Sequence, residues 1–295
     1  MGKSSARDRD QRIAALVFIA PAAILLILFL IVPVLSSVKY SFTDYNILRP
    51  DRIHFCGFSN FAELFRDPDF HQAIWHTVYF TLLVVPIQCL LALVLALFVS
   101  SRRRGVSVFR AAYFSPMVTS MVVVAILWTV LYNPDPNTGL INAFLVKIGA
   151  KPQGFLNDPK MAMNSIIFMS AWQAAGYQMM IFLAGLQAIP SEQYEAASID
   201  GAGTWKQLIY ITLPGLRNVT KYVVIITTIQ AMKLFTQPYV MTKGGPQNTT
   251  MTQVYYIYEQ GFQERNFGYA CAAAVVFLLI VILMSLLLKR IIKAS

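Results

Sequence analysis

The chain has 295 residues, of which 57% are hydrophobic and 13% are charged. Soluble globular domains are about 45–50% apolar and about 25% charged, so this composition is that of a membrane protein and excludes a long soluble enzyme or a disordered chain. The formal net charge of +10 is divided among many loops, whereas a nucleic-acid-binding surface needs its positive charge gathered on one face. The 3 cysteines have no CxxC spacing, so they indicate neither a disulfide framework nor a zinc site.

Six stretches of the chain are long and apolar enough to cross a bilayer, which takes about 20 residues in a helix. They are residues 13–35, 77–99, 111–132, 163–186, 222–241 and 267–288. Lys233, in the fifth stretch, is the only charged residue in any of them. The first stretch is too long for a signal peptide and has no cleavage site, so we expect it to be retained. The sequence therefore predicts an all-α integral membrane protein with six transmembrane helices.

The distribution of basic residues predicts the orientation of these helices. An even number of spans places both termini on one side, and 14 of the 24 Lys and Arg residues lie in the four segments on that side, against nine in the three opposite loops. Because positive residues favour the cytoplasmic side, we expect both termini to be cytoplasmic. The basic run of Arg102, Arg103 and Arg104 is typical of a topology determinant in contact with lipid headgroups.

Residues 190–214, between the fourth and fifth stretches, have the pattern of two short helices on the cytoplasmic side. Ser191 can cap a helix that runs through residues 194–197 and stops at Gly201. Thr204 and Gln207 have the spacing of a capping box, which predicts that a second helix begins there. A protrusion of this kind is suited to docking in a groove on a partner protein.

Seven residues of this loop match every fixed position of the EAA loop of permease subunits in binding-protein-dependent ATP-binding-cassette (ABC) importers. These residues are Glu195, Ala196, Ala197, Gly201, Ile211, Leu213 and Pro214. The chain thus resembles that family, and looser motifs before the second stretch and after the fifth resemble its sugar-permease branch, related to maltose and glycerol-3-phosphate importers. Those motifs comprise Gly57, Phe58, Asn60, Phe61, Ala73 and Thr77, and then Thr242, Gly244, Gly245 and Pro246.

The resemblance implies the ABC importer type-1 permease fold in a bacterial plasma (inner) membrane. Residues 1–76 would form the cytoplasmic N-tail, the first transmembrane helix and an outer loop, and residues 77–292 a permease core of five transmembrane helices with the coupling loop at 190–214. The seven matched residues would contact the ATPase. The implied partners are a second homologous permease, an ATP-binding subunit dimer, an extracytoplasmic solute-binding protein, the lipid bilayer and a sugar, with no nucleic acid.

The chain lacks the motifs of an enzyme. No GxxxxGK[ST] sequence occurs, so we expect this chain to bind no cofactor and the partner ATPase to use ATP and Mg. The 3 histidines are not at metal-ligand spacing, and we expect no catalytic residue and no metal site.

Polar side chains recur at helical spacing in two of the stretches. Thr227, Gln230, Lys233 and Gln237 share one face of the fifth, and Ser170, Gln173 and Tyr177 share one face of the fourth. Amide, hydroxyl and aromatic groups suit a sugar, so Gln173, Tyr177, Gln230, Lys233 and Gln237 are predicted to line its passage. Alternatively, the polar groups join helices to one another, and Lys233 pairs across a subunit interface or reaches toward the outer surface.

Two other functions remain open at this stage. An ion-coupled secondary transporter would need no ATPase, but such proteins usually carry membrane-buried carboxylates, and no Asp or Glu lies in the six stretches. A membrane-anchored scaffold would leave the two polar faces without a purpose. The sequence identifies no particular solute.

Overall fold

The computed structural model describes residues 2–100 and 105–294. Within these ranges the regular secondary structure is helical, and the one β pairing is an isolated bridge between Thr43 and Phe55. In chain order the helices are α1 (Gly2–Leu26), α2 (Val32–Tyr40), α3 (Ser59–Leu64), α4 (Pro68–Ser100), α5 (Val106–Val118), α6 (Met121–Leu131), α7 (Leu140–Lys147), α8 (Ala162–Gln187), α9 (Ser191–Ile199), α10 (Thr204–Gln207), α11 (Leu213–Gly215), α12 (Arg217–Met232), α13 (Thr236–Met241), α14 (Gln253–Tyr258) and α15 (Phe267–Ala294). Short π-helical segments at Ile27–Ile31, Leu208–Thr212 and Glu259–Gln263 follow α1, α10 and α14. The all-α prediction is confirmed, and the basic run at 102–104 lies outside the described residues.

Four helical segments of the described chain are long and apolar enough to cross a membrane. They are Ala14–Tyr40, Pro68–Ser100, Ala162–Gln187 and Phe267–Arg290, and they contain most of the first, second, fourth and sixth predicted stretches. The third stretch adds a fifth span if α5 and α6, which meet at a bend of 100°, are counted together. The count of six and the cytoplasmic location of the termini stay predictions.

The third stretch is broken at Thr119, whose backbone is extended. Pro116 has no amide hydrogen, so the carbonyl of Ala112 loses its usual helical donor. The hydroxyl of Ser115 donates to that carbonyl at 3.1 Å, and the Gln173 side chain donates to the carbonyl of Pro116, also at 3.1 Å. Irregular backbone at membrane depth is tolerated when its polar groups find partners inside the protein, and here they do.

The fifth stretch is not the single helix that the sequence predicts. Helix α12 ends at Met232 and α13 begins at Thr236, so the stretch is interrupted from Lys233 to Phe235. The physical reason is Pro238, which cannot donate to the carbonyl of Leu234. The Thr252 hydroxyl donates to that carbonyl instead, at 2.7 Å.

The chain divides into two compact units, the first made of Met1–Asp67 with Ile257–Leu278 and the second of Pro68–Tyr256 with Leu279–Ser295. In the first unit, Asn60 of the Gly-Phe-x-Asn-Phe motif is buried and donates to the carbonyls of Ser41 and Thr43, both at 2.9 Å. Its neighbour Phe61 packs on Phe42 with ring centroids 5.3 Å apart. The motif therefore anchors α3 to the segment that follows α2.

A short polar contact closes the loop that follows α2 in the first unit. The backbone amide of His54 donates to the Asp44 carboxylate at 2.6 Å, and the His54 ring lies 3.0 Å from the same carboxylate. These hydrogen bonds, the backbone one first, lower the pKa of Asp44 below its ordinary value. The contact supports the Thr43–Phe55 bridge, which lies next to it in the chain.

In the second unit, α8 packs against α4, α5 and α12. A chain of buried hydrogen bonds joins three of these helices: the Gln88 amide in α4 donates to Gln178 in α8, and Gln178 donates to the Thr227 hydroxyl in α12 at 2.8 Å. Gln178 is fully buried. These three residues therefore join helices to one another, which is the alternative that the sequence left open for its polar residues.

Helix α8 approaches α5 most closely at Gly176, where a Cβ atom would overlap the backbone carbonyl of Tyr113. Small residues at such crossings allow membrane helices to pack closely. We expect Gly176→Ala to destabilise the folded protein by about 1–3 kcal/mol, because α8 and α5 must separate to admit the methyl group. Equilibrium unfolding in mixed detergent and SDS micelles measures this change.

The matched control is Gly203→Ala, since a Cβ atom at Gly203 would meet nothing within 4 Å and the residue has an ordinary φ of −70°. Unfolding of Gly203→Ala should follow that of the unmodified chain. Equal stability of the two variants would contradict the close packing at Gly176.

The chain of hydrogen bonds generates a second prediction. Gln178→Leu removes both bonds and leaves the buried Gln88 amide without its partner, so we expect a loss of about 1–3 kcal/mol in the free energy of unfolding. Combining it with Gln88→Leu should cost less than the sum of the two single changes, because the stranded group is then removed as well. Strict additivity of the two changes in the same unfolding assay would show that these residues do not interact.

Candidate functional site

A cavity of about 410 Å³ lies within the second unit. Its walls come from α4, α8, α12, the bend between α5 and α6, and the link between α12 and α13. Nine of the lining side chains are polar: Gln88, Thr119, Ser170, Gln173, Thr227, Gln230, Lys233, Thr236 and Gln237. A cavity that gathers polar side chains between apolar helices is the expected form of a binding site or passage in a membrane protein.

The structure brings together four of the five residues that the sequence predicts for the passage. Gln173, Gln230, Lys233 and Gln237 all line the cavity, although the helix on which the last three were placed is interrupted. The partly buried Tyr177 is not among the lining residues. Tyr177 lies about one helical turn, roughly 6 Å, beyond Gln173 along α8, and the cavity does not extend that far.

The lining amides differ in how far their hydrogen bonds are already used. Gln173 is buried and bound to the Pro116 carbonyl, and Gln237 reaches the Ser170 hydroxyl at 3.4 Å. The exposed side chain of Gln230 makes no hydrogen bond to the described protein. Gln173 and Gln237 therefore shape the wall, whereas Gln230 presents a free amide to the cavity.

Aromatic and bend residues complete the wall, and these were missed in the sequence. Phe80 and Phe235 line the cavity, and the Phe235 ring stacks on Tyr239 with centroids 5.3 Å apart and an interplanar angle of 17°. Met117 and Thr119 reach the cavity because the chain turns between α5 and α6. Pro116 was the available signal, since a proline at this depth can interrupt a helix.

Lys233 supplies the charge of the cavity. It is the one ionisable residue among the lining residues that the structure describes, and its side chain is exposed. It makes no ion pair or side-chain hydrogen bond with any described residue. The cavity therefore combines neutral hydrogen-bonding groups, the rings of Phe80 and Phe235, and one unpaired cation.

The coupling loop at 190–214 contains the two short helices that its sequence predicts. Helix α9 ends at Ile199, Gly201 has a φ of +73°, and α10 begins at Thr204. Glycine adopts such a φ at no steric cost, and a Cβ atom at Gly201 would meet nothing within 4 Å, so its conformation rather than its packing favours glycine.

The helix starts differ from the expected ones. Pro190 occupies the N-cap position of α9, so the prediction that Ser191 caps this helix is wrong. Gly203 occupies the N-cap position of α10, so the predicted capping box of Thr204 and Gln207 is wrong as well. The Gln207 amide donates instead to the Ser198 hydroxyl at 2.9 Å and to the Ala202 carbonyl at 3.2 Å. Gln207 thus ties the second helix back to the first, which fixes the shape of the loop.

The matched EAA residues lie in the helices and turn of residues 195–214, and three large apolar side chains of the same segment are exposed. Glu195, Ala196 and Gly201 are exposed, as are Leu213 and Pro214, while Ala197 and Ile211 are partly buried. Ile199, Trp205 and Tyr210 are 86%, 72% and 76% exposed. Exposed apolar side chains on a loop held by internal hydrogen bonds are typical of a protein contact surface.

Comparison with known proteins identifies the family. Residues 59–294 match the family described as binding-protein-dependent transport system inner membrane component. The chain is 38% identical over 266 residues to a probable ABC transporter permease protein of Pyrococcus horikoshii, and the alignment covers 90% of each chain. It is also 33% identical over 280 residues to the arabinooligosaccharides transport system permease protein AraP of Bacillus subtilis, covering 94% of this chain and 88% of AraP.

The fold is shared with a solved structure. A bacterial ABC transporter involved in the import of the acidic polysaccharide alginate superposes with a TM-score of 0.86 at 23% identity, covering 100% of this chain and 99% of the other. The predicted type-1 permease fold is therefore confirmed. Because the family match and the relatives extend over most of the chain, the protein belongs to the binding-protein-dependent transport system inner membrane components, the multi-pass permeases of ABC importers.

Proposed function

We propose that this chain is the membrane-spanning permease subunit of an ATP-driven importer that carries a carbohydrate across the plasma membrane. The observation that carries the proposal is the coupling loop, which contains the seven EAA residues, the glycine turn at Gly201 and the exposed Ile199, Trp205 and Tyr210. Carbohydrate is the solute class because AraP is named for arabinooligosaccharides and the structural neighbour for alginate, a polysaccharide.

The loop is firmly joined to the helices that line the cavity. A Cβ atom at Gly185, near the end of α8, would lie 2.7 Å from Val219 and 2.9 Å from Leu216 at the start of α12. The Tyr194 hydroxyl in α9 also forms a hydrogen bond with the Thr212 hydroxyl, with the two oxygens 3.0 Å apart. Because the two ends of the loop are held this closely, a displacement of the loop shifts α8 and α12 together, and with them Gln173 and Gln230.

This linkage supports a transport cycle based on rigid-body motion. When ATP closes the partner ATPase subunits, the loop moves, the two permeases rock and the cavity opens outward to receive solute. In the cavity, the free amide of Gln230 can both donate to and accept from sugar hydroxyls, and the Phe235 ring offers a face to the C–H surface of a sugar. Gln173, Gln230, Lys233 and Gln237 are the residues proposed to line the passage.

The complete importer would contain a second homologous permease, a dimer of ATP-binding subunits and an extracytoplasmic solute-binding protein. ATP and Mg would be used by the ATP-binding subunits, with no catalytic role for this chain. Residues 77–292 would form the core that moves, with the seven matched residues of the coupling loop in contact with the ATPase.

The glycine turn gives a direct test. We expect Gly201→Val to lower uptake at least about tenfold, because a β-branched residue is strained at a φ of +73° and the turn must change shape. Uptake of labelled solute by proteoliposomes containing the complete importer measures the effect, and immunoblotting of membranes measures insertion, which should be unchanged.

Gly203→Val is the matched control, since this residue lies two positions away with equally open surroundings and a φ of −70°. We expect it to reduce uptake far less than Gly201→Val. Normal transport by Gly201→Val would contradict the coupling role of the turn.

A second test concerns the exposed apolar side chains. Changing Ile199 and Trp205 together to Asp should abolish co-purification of the ATPase subunit in mild detergent, because charge is inserted into an apolar contact. The control is Leu48→Asp in the outer loop, which is 64% exposed and far from residues 190–214 in the chain. If no ATPase accompanies even the unmodified chain, the proposal fails and an ion-coupled secondary transporter becomes the better hypothesis.

A further inference from the structure

Lys233 occupies a position that its own helix does not explain. It lies at the C-terminal end of α12, and its backbone amide bonds to the Gln230 carbonyl at 3.1 Å. The negative end of a helix dipole favours a lysine there, but that weak attraction does not require the side chain to line a cavity. A cation at bilayer depth is costly unless it meets water, a counter-charge or a ligand.

The second unit offers Lys233 no counter-charge. Its six acidic residues lie at the N-terminal turn of α4, in the turns around α7 and in the coupling loop: Asp69, Asp135, Asp158, Glu192, Glu195 and Asp200. None of them lines the cavity, where every other polar group is a neutral amide or hydroxyl. The cavity therefore carries a net positive charge.

We propose that the carbohydrate carried by this importer is anionic, bearing a carboxylate or a phosphate that binds the Lys233 ammonium. The inference rests on the proposed function and specifies its substrate. The ammonium group supplies three donors to an anionic oxygen, and Gln230 adds an amide donor three residues earlier on the chain. Amides and Phe235 bind the sugar itself, so Lys233 selects charge and the rest of the wall selects carbohydrate.

Matched pairs of saccharides that differ in charge test this proposal. Galactobiose and digalacturonate differ by a carboxylate on each ring, and maltose and maltose 6-phosphate differ by a phosphate. Binding is measured by calorimetry on the complete, detergent-solubilised importer without its solute-binding protein, so that only the selectivity of the membrane subunits is measured. We expect the anionic member of at least one pair to bind at least about tenfold more tightly, the effect of one hydrogen-bonded charge. The pair in which the anionic member binds more tightly identifies whether the site recognises a carboxylate or a phosphate.

Variants separate charge recognition from structural effects. Lys233→Gln should weaken binding of the preferred anion at least about tenfold and leave its neutral counterpart within about twofold, while Lys233→Arg keeps most of the preference. Lys151→Gln removes the same charge from an exposed loop position outside the cavity and should change neither.

Two results would overturn the inference. One is equal or tighter binding of the neutral sugar in both pairs. The other is an equal loss for both members of a pair in Lys233→Gln, which would indicate that the lysine pairs with another subunit. Either result leaves the proposed function intact, whereas failure of the complete importer, with its binding protein, to move any carbohydrate into proteoliposomes contradicts the proposed function itself.

Discussion

The architecture of the second unit depends on the requirement that backbone polar groups inside a membrane find partners within the protein. Pro116 and Pro238 each leave a carbonyl without its helical donor, and the fold supplies the hydroxyls of Ser115 and Thr252 in their place. Gln173 satisfies a further carbonyl at the first break. With these groups satisfied, two stretches of apolar chain can turn inside the bundle instead of continuing straight, and both turns border the cavity.

The polar residues of the second unit fall into two groups, according to whether their side chains have hydrogen-bond partners within the described protein. Gln88, Gln178 and Thr227 are buried and bonded to one another across three helices, so they hold the bundle together. Gln230 and Lys233 have no side-chain partner in the described protein and face the cavity. Polar side chains joined in a network stabilise one arrangement of helices, whereas free ones remain available to a ligand.

Helices α8 and α12 connect the cavity with the loop at 190–214, the two surfaces to which the proposed function assigns roles. Each contributes to the cavity, and the coupling loop runs between them with its ends held near Gly185. The loop is kept in shape by Gln207, while Ile199 and Trp205 remain exposed. A loop held by internal hydrogen bonds transmits a displacement to the helices that it joins, whereas a loop without them would absorb it. In the proposed function, this linkage carries the movement of the ATPase subunits to the cavity.

Sequence by itself determined the membrane class, the four long spans, the two helices around Gly201 and the family, because apolar length, a glycine between two helical patterns and a fixed-residue motif are local properties of a chain. It also placed Gln173, Gln230, Lys233 and Gln237 together, since helical spacing survives on either side of a break.

Only the tertiary structure decided that α5 and α6 fold back at Thr119, that Tyr177 lies outside the cavity wall, and that Gln207 joins two helices rather than capping one. Each of these depends on a partner distant in the chain or on the position of a neighbouring helix. A proline in the sequence indicates that a helical carbonyl lacks its donor. Which side chain donates to that carbonyl, as the Thr252 hydroxyl donates to the carbonyl of Leu234, is decided only when the helices pack.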